Sequence, residues 1–368
     1  MSLPEPQFIE RDVNKITQEW ISLYEQKTGK TLQPAQIERI LIDVGVYRES
    51  LLRIGIQEAA KQNLVNFATY PMLDYLGELV GVYRLAAKYS KTTFRFLIDE
   101  PLTFDYTIPS GIEIESKDVK VIFKTLKTSV LSKDQLFIEM EGQAETAGII
   151  GNGYLPGEIN NLITPIPYIS EVFNITESSS GADEETDDNL RKRIKEAPEQ
   201  FSNAGSRGAY RFHTISAHQN IIDVAVIHKQ PGVVEIYPLT IDGNPSLEII
   251  DTVQYYLSDD KVRPLTDLVL VKPPEKIDFQ ILADIILYNF ADLESAQALI
   301  NEKLEEFKKN LRSKLGLDIV PTQIIAILNS IYGVYRVDLI SPFLQELDSH
   351  QWADCTSYQV NIAGYTDG

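Results

Sequence analysis

The spacing of apolar residues switches from a helical to an alternating repeat near position 90, so the chain must hold at least two differently built layers. Before the switch, Pro34 can open a helix at its first turn, and Ile37, Ile40, Leu41 and Val44 recur at offsets of 3, 4 and 7. Leu51, Ile54, Ala59 and Leu64 carry apolar content onward, with Gly45 and Gly55 as weak points. The stretch from Gln33 to about Phe67 is expected to be a long helix or a broken pair. Only about 90 residues are available to cover it, so it either packs within its own chain or is lent to a bundle with neighbours.

After the switch, Phe94, Phe96 and Ile98 alternate with Arg95 and Leu97, Ile108-Pro109-Ser110-Gly111 reads as a turn, and Val119 to Lys124 and Gln135 to Met140 read as short strands. Gly148, Gly151, Gly153, Pro156 and Gly157 mark tight turns before an extended run, Ile166 to Ile175. Ser178-Ser179-Ser180-Gly181 looks like a flexible join. From Ala182 to Ile194 acidic residues precede basic ones, the order a helix dipole prefers, and Asp187–Arg191 and Asp188–Lys192 stand at i,i+4. A further helix is expected near Gly205-Ser206, strands over Ile222 to His228 and Val233 to Leu239, a helix near Leu247 to Leu257, and a strand over Leu268 to Val271. Lys272-Pro273-Pro274-Glu275 reads as a second join.

Ile277, Phe279, Ile281, Ala283 and Ile285 then alternate strictly, and Leu293, Ala296, Ile300, Leu304, Phe307 and Leu311 trace one helix face. Gly316 stops that helix, Pro321 starts a shorter one, and Gly333 precedes a closing strand, Val334 to Ile340. The fold class is therefore multidomain α+β. It comprises an N-terminal helical region over 1–90, in a bundle of its own chain or with partners, an antiparallel β-rich domain over 91–175, two small two-layer α+β domains over 176–275 and 276–345, and a C-terminal tail over 346–368.

Charge narrows the function. Across 368 residues, 53 Asp and Glu outweigh 34 Lys and Arg for a net charge of -19, which argues against nucleic acid or an anionic membrane as partner and favours proteins or small cations. Cys355 is the only cysteine, so no intrachain disulfide framework exists and a reducing compartment fits. Glu5, Glu10, Arg11, Asp12 and Lys15 occupy the place of a secretory apolar run, and no stretch approaches the roughly 18 apolar residues of a membrane span. Synthesis in the cytoplasm and no direct membrane insertion are expected.

Motifs for chemistry fail on spacing. Gly29-Lys30-Thr31 ends like a phosphate loop, but Tyr24 stands where its first glycine belongs, and a helix-ending glycine explains it better. Asp183, Glu185 and Asp187 alternate like calcium ligands, yet Asp188 occupies the glycine position and Ile194 that of the bidentate carboxylate. His213, His218, His228 and His350 form no zinc-protease pair and read as surface or satisfied core residues. Gly151-Asn152-Gly153 lacks a helix to receive a pyrophosphate, Asn174-Ile175-Thr176 is a sequon without a secretory route, and no Gly-x-Ser-x-Gly elbow occurs. No catalytic residue, cofactor or metal is assigned, and no enzyme is expected.

The remaining fragments carry a resemblance. Asn174 followed by Gly181-Ala182-Asp183-Glu184-Glu185-Thr186-Asp187-Asp188-Asn189-Leu190-Arg191-Lys192-Arg193-Ile194 resembles the signature of the baseplate J-like family, the wedge proteins of contractile phage tails and related contractile injection systems. Asp74-Tyr75-Leu76-Gly77, Gly81 and Arg84, then Ile108-Pro109-Ser110-Gly111, Gly148-Ile149-Ile150-Gly151-Asn152, Gly205-Ser206 to Tyr210, Arg263-Pro264 and Gly333-Val334 follow in the family's order over roughly Asp74 to Pro342. Ser206 stands where threonine is frequent, and Thr266 where a glycine is common after Arg-Pro.

The resemblance implies a structural job without catalysis. On that resemblance, two copies would join a smaller second wedge protein through a helical bundle, and six wedges would ring the central spike and hub. The ring would widen on target engagement and trigger sheath contraction. Further baseplate and sheath-initiating proteins would be partners, the assembled site being a phage tail or an extracellular or cell-anchored particle. Gly181, Asp183, Glu185, Asp187, Leu190, Arg191, Arg193, Gly205, Arg263 and Pro264 are the motif and interface candidates. Arg191 or Arg193 is expected to reach another domain or chain. An enzymatic or carbohydrate-binding accessory module of an exported particle is the alternative reading.

Overall fold

A computed structural model describes residues 4–201, 206–259, 262–264 and 266–367. The chain divides into two compact units, one of residues 1–84 and 186–197, the other of 85–185 and 198–368.

In the first unit, α1 (Val13–Thr28) is capped by Asp12, whose carboxylate accepts the Asn14 N–H, and closed by Gly29 at φ 68, where a side chain would be strained. Gly29 is thus a helix C-cap. The following α2 (Ile37–Lys61) folds back on α1 around Ile16, Leu32, Ile42 and Val46. Gln57, fully buried on α2, accepts the Phe8 N–H at 2.9 Å and donates to the Pro6 carbonyl at 2.7 Å, fastening the N-terminal strap. Then α3 (Met72–Glu78) packs with α4 (Asp187–Glu196).

The acidic-to-basic helix expected from Asp183 to Ile194 begins only at Asp187. Thr186 caps it by accepting the Asn189 N–H, so Asp183 to Glu185 stay extended, with carboxylates available to other backbone groups. The expected Asp187–Arg191 pair does not form. Asp187 faces Arg84, and Arg191 pairs one turn away with Asp188.

The second unit opens with an antiparallel sheet. Its strands are β1 (Lys91–Leu97), β3 (Glu113–Ser116), β4 (Ile122–Thr125), β6 (Phe137–Ala144), β7 (Ile159–Leu162) and β8 (Glu171–Asn174), ordered β7-β3-β4-β6-β1-β8, and β2 (Tyr106–Ile108) pairs separately with β5 (Ser129–Leu131). Alternation places Phe94, Phe96, Ile114 and Phe123 inside, all fully buried. The run expected as extended from Ile166 shortens to β8. Asn174 then bridges the sheet's two ends: its Oδ1 accepts the Gly157 and Ile159 N–H groups at 3.0 and 2.9 Å, and its Nδ2 donates to the Leu155 and Thr176 carbonyls. A fully buried side-chain amide thus joins strands β7 and β8 toward a closed barrel.

A three-stranded sheet follows, β11 (Leu268–Val271) parallel to β10 (Val233–Thr240), itself antiparallel to β9 (Ile221–Gln230), covered by α5 (Arg207–Ala217) and α6 (Leu247–Leu257). Finally β12 (Glu275–Tyr288) lies between antiparallel β13 (Val334–Ser341) and parallel β14 (Gln351–Thr366), under α7 (Leu293–Leu311) and α8 (Pro321–Asn329). Phe279, Ile281, Leu304 and Phe307 share one core there. The segment expected as a tail is a sheet strand. Ala353 and Cys355 are buried in that core, and the later alternation of Tyr358, Val360 and Ile362 packs against it.

Candidate functional site

The sequence fragments singled out above meet in three places, each inside one unit. In the first unit, Arg84 forks onto Asp74 (Nε–Oδ1 2.8 Å, Nη2–Oδ2 3.0 Å), and Nη2 also reaches Asp187 Oδ1 at 2.7 Å. The other Asp187 oxygen accepts the Tyr70 N–H at 3.2 Å. Burial works to raise the Asp187 pKa, but Arg84 and the Tyr70 N–H outweigh it and hold the carboxyl below its usual range. Arg191 donates to the Val65 and Ala68 carbonyls at 2.8 and 2.7 Å, Arg193, 5% exposed, donates to the Tyr83 carbonyl, and Leu190 is fully buried. Gly77 belongs to the same knot, since a Cβ there would lie 2.5 Å from the Val82 carbonyl oxygen. The arginines of α4 thus satisfy carbonyls left open beyond α2 and α3.

The second meeting place is the exit from the barrel. Ser178, Ser180, Gly181 and Ala182 are buried rather than a flexible join, because their backbone pairs with the strand entering the barrel: Lys88 with Ala182 and Lys91 with Ser179. Gly181 N–H donates to Asn152 Oδ1 at 2.9 Å, and Asn152 Nδ2 returns to the Gly181 carbonyl at 2.9 Å. A Cβ on Gly181 would sit 2.4 Å from the Gly148 carbonyl oxygen. Asp183 accepts the Ile149 N–H at 3.0 Å, and Glu185, 4% exposed, accepts the Leu85 N–H at 3.0 Å. Ser90 donates to the Gly151 carbonyl at 2.7 Å. The three alternating carboxylates that mimic a calcium loop are each turned to a different backbone or side-chain donor.

In the third place, Ser206 caps α5, and Tyr210, 2% exposed, donates its hydroxyl proton to Asp267 at 2.7 Å. Asp267 is set by the turn of Arg263-Pro264, where the Arg263 N–H reaches the Asp259 carbonyl and the Asp267 N–H reaches that of Pro264. The Arg263 Nε is buried with no hydrogen-bond partner among the described residues. Gly205 lies outside the described residues.

Four family models match in chain order: the baseplate J-like N-terminal domain over 39–89, the barrel domain over 93–181, the central domain over 202–273 and the C-terminal domain over 279–361. The chain belongs to the baseplate J-like family. A curated relative, baseplate protein J of Escherichia phage P2, is 35% identical over 183 residues, which span 49% of this chain and 60% of that protein. A solved structure, the anti-feeding prophage baseplate determined with 6-fold symmetrisation, aligns at 14% identity with a TM-score of 0.48, over 93% of this chain and 90% of that one.

For a baseplate J-like chain the signature is spent on internal geometry. Asp183, Glu185, Asp187, Arg191 and Arg193 each hydrogen-bond to a backbone or side-chain group elsewhere in the fold. Surface for a partner lies elsewhere. On α2, Ile37, Ile40, Leu41, Val44, Leu51 and Leu52 are exposed on the side opposite Ile42, Val46, Ser50 and Gln57, which are buried. Ser90, central to the barrel exit, carries no sequence signal of its own, and Asn152 enters the sequence reading only as the end of the Gly148-to-Asn152 fragment, with no contact assigned to it. No helix among the described residues is long and apolar enough to cross a membrane.

Proposed function

We propose that this protein is a structural wedge component of the baseplate of a contractile tail or injection particle, and that α2 is its contribution to a helical bundle made with a second copy and a smaller wedge protein. Membership in the baseplate J-like family supports the baseplate role. The observation that carries the finer reading is the bare stripe on α2, a helix about 37 Å long at 1.5 Å per residue. Six large apolar side chains in the open are more than a surface helix normally presents, and they follow one face of α2 from Ile37 to Leu52, as helix-in-helix packing requires. The role is structural, not catalytic. The rigid, internally tied domains would let the ring change arrangement without unfolding and pass the trigger to the sheath.

The test is co-expression with a smaller wedge protein from the same source. Wild type should form a 2:1 complex, and the pair Leu41→Glu with Val44→Glu should abolish it while circular dichroism and thermal unfolding stay unchanged. Deletion of residues before Tyr70, which removes α1 and α2, should also abolish the complex and leave the barrel folded. A complex that survives both changes would assign the wedge contact to the later domains.

A further inference from the structure

The second unit contains a cavity of about 250 Å³ whose chemistry the baseplate role does not use. It lies where the strand entering the barrel meets the α6 face of the central sheet, and Lys88, Lys91, Ser180, His218, Glu248 and Ile249 line it. His218 is 2% exposed. Its Nδ1 accepts the Asn220 N–H at 3.2 Å, so the neutral ring carries its proton on Nε2. That Nε2–H is buried without a hydrogen-bond partner; the Ser180 carbonyl acts on it only weakly, from outside hydrogen-bonding geometry. An orphaned buried donor keeps the full cost of its desolvation unless something accepts from it.

The charges around it are unequal. Lys91 and Glu248 form an ion pair and cancel. Lys88 has no ion-pair partner among the described residues; it donates to the Ala217 carbonyl at 3.2 Å and keeps further N–H groups free. Burial lowers its pKa and the neighbouring Lys91 charge adds to this, outweighing the opposing pull of Glu248, whose own ion pair is with Lys91. Ser180, at φ 69, is held in a conformation that few non-glycine residues adopt, and its hydroxyl lies 3.2 Å from that of Ser246, the α6 cap. One cation without an ion pair of its own, one neutral orphan donor and an apolar wall from Ile249 therefore converge, in a protein whose net charge is -19.

We propose that this cavity binds a small monocarboxylate, one oxygen accepting from His218 Nε2–H and the other held by the Lys88 ammonium, with a short apolar tail against Ile249. A single negative charge matches the single free cation, whereas a phosphate dianion would meet Glu248 with an excess charge. The bound group would touch the barrel entry, the barrel exit and α6 at once, so it would tie the barrel to the central domain. The proposal is independent of the wedge reading.

The experiment uses the full chain labelled with 15N-histidine, with the His218 ring signals assigned by loss in His218→Gln. Sodium acetate is titrated at pH 7 against sodium chloride at constant ionic strength. The His218 Nε2 resonance should shift saturably with a Kd on the order of 1 mM, and Lys88→Met should weaken this tenfold or more. Absence of a saturable shift in wild type, or an equal shift with chloride or phosphate, overturns the assignment, as does an unchanged Kd in a folded Lys88→Met protein. The wild-type titration decides the matter even where that variant fails to fold.

Discussion

Arg84→Met tests whether the knot between the Asp74-to-Arg84 fragment and α4 holds that part of the first unit together. The guanidinium makes three charged hydrogen bonds of 2.7 to 3.0 Å to two carboxylates and is itself only 11% exposed. Its removal leaves Asp74 and Asp187 as neighbouring anions. Breaking a fully buried ion pair costs about 3–5 kcal/mol, but these carboxylates are 29% and 31% exposed and regain part of their hydration, so about 2–3 kcal/mol is the discounted expectation. Native-state hydrogen exchange reads this locally. Amide protection along α4 should fall roughly 30- to 150-fold, since each 1.4 kcal/mol is a factor of ten, while protection in β12 stays as it was. Arg84→Lys should fall between, because an ammonium keeps the charge but cannot fork across Asp74 and reach Asp187. A loss of protection below about threefold in Arg84→Met would mean that apolar packing around Leu190 holds α4 alone, and the electrostatic account of the knot would be wrong.

Three other outcomes follow from the same structure. Leu304→Ala, at a fully buried position between α7 and β12, should cost about 2–5 kcal/mol in denaturant unfolding; a cost under about 0.5 kcal/mol would contradict the core described for that domain. Gly181→Ala should destabilise the barrel by about 1–3 kcal/mol, since the new Cβ would meet the Gly148 carbonyl oxygen at 2.4 Å, and an unchanged melting temperature would refute the close approach. Burial, with the Lys88 charge adding to it and Glu248 opposing, pushes the His218 pKa down to about 4 from the ordinary 6.5. The unfolded chain therefore binds the extra proton first, and stability is lost as pH falls from about 6.5 to about 4, by about 3 kcal/mol in all. His218→Gln should flatten that limb of the stability curve, and an unaltered slope between wild type and variant would show that His218 is not the group responsible.

Much of the fold was legible because single elements carry a complete periodic record. The alternation from Ile277 to Ile285 and the face from Leu293 to Leu311 are each longer than any competing pattern, and β12 and α7 appear there. The start of α4 was not legible, because its cap is a threonine inside a run of carboxylates, and only tertiary donors reveal that Asp183 and Glu185 are engaged before the helix begins. Serine-rich composition suggested a loose join at 178–181, yet serine is also small enough to pair backbone to backbone in a crowded place, which is what Ser178 and Ser179 do. The last strand resembled a tail because its first buried residues, Trp352 to Cys355, run consecutively without alternation and include the charged Asp354. His218 was read as an ordinary histidine; it is a core residue, and its orphaned nitrogen shows only in three dimensions.

The fragments that resemble the family and the surface that would serve its assembly are different residues, and physics separates them. A glycine with a carbonyl 2.4 Å from its missing Cβ, or an arginine spread over two backbone oxygens, admits few replacements and so leaves a recognisable motif. A bundle stripe such as Ile37, Ile40, Leu41 and Val44 asks only for apolar side chains of suitable size at helical spacing, which many residues meet. The motif therefore reports the fold, and the interface has to be sought where the sequence is least distinctive. The two classes should part experimentally. Substitutions at Gly181, Arg84 or Arg191 should lower stability and disturb assembly only through misfolding. Charges placed at Leu41 and Val44 should leave the melting temperature within about 1–2 °C of wild type, as surface changes within about 0.5 kcal/mol would, and still prevent the 2:1 complex. Stability loss of several degrees from the charged α2 variants would place that face inside the chain's own core and transfer the search for the partner contact to the second unit.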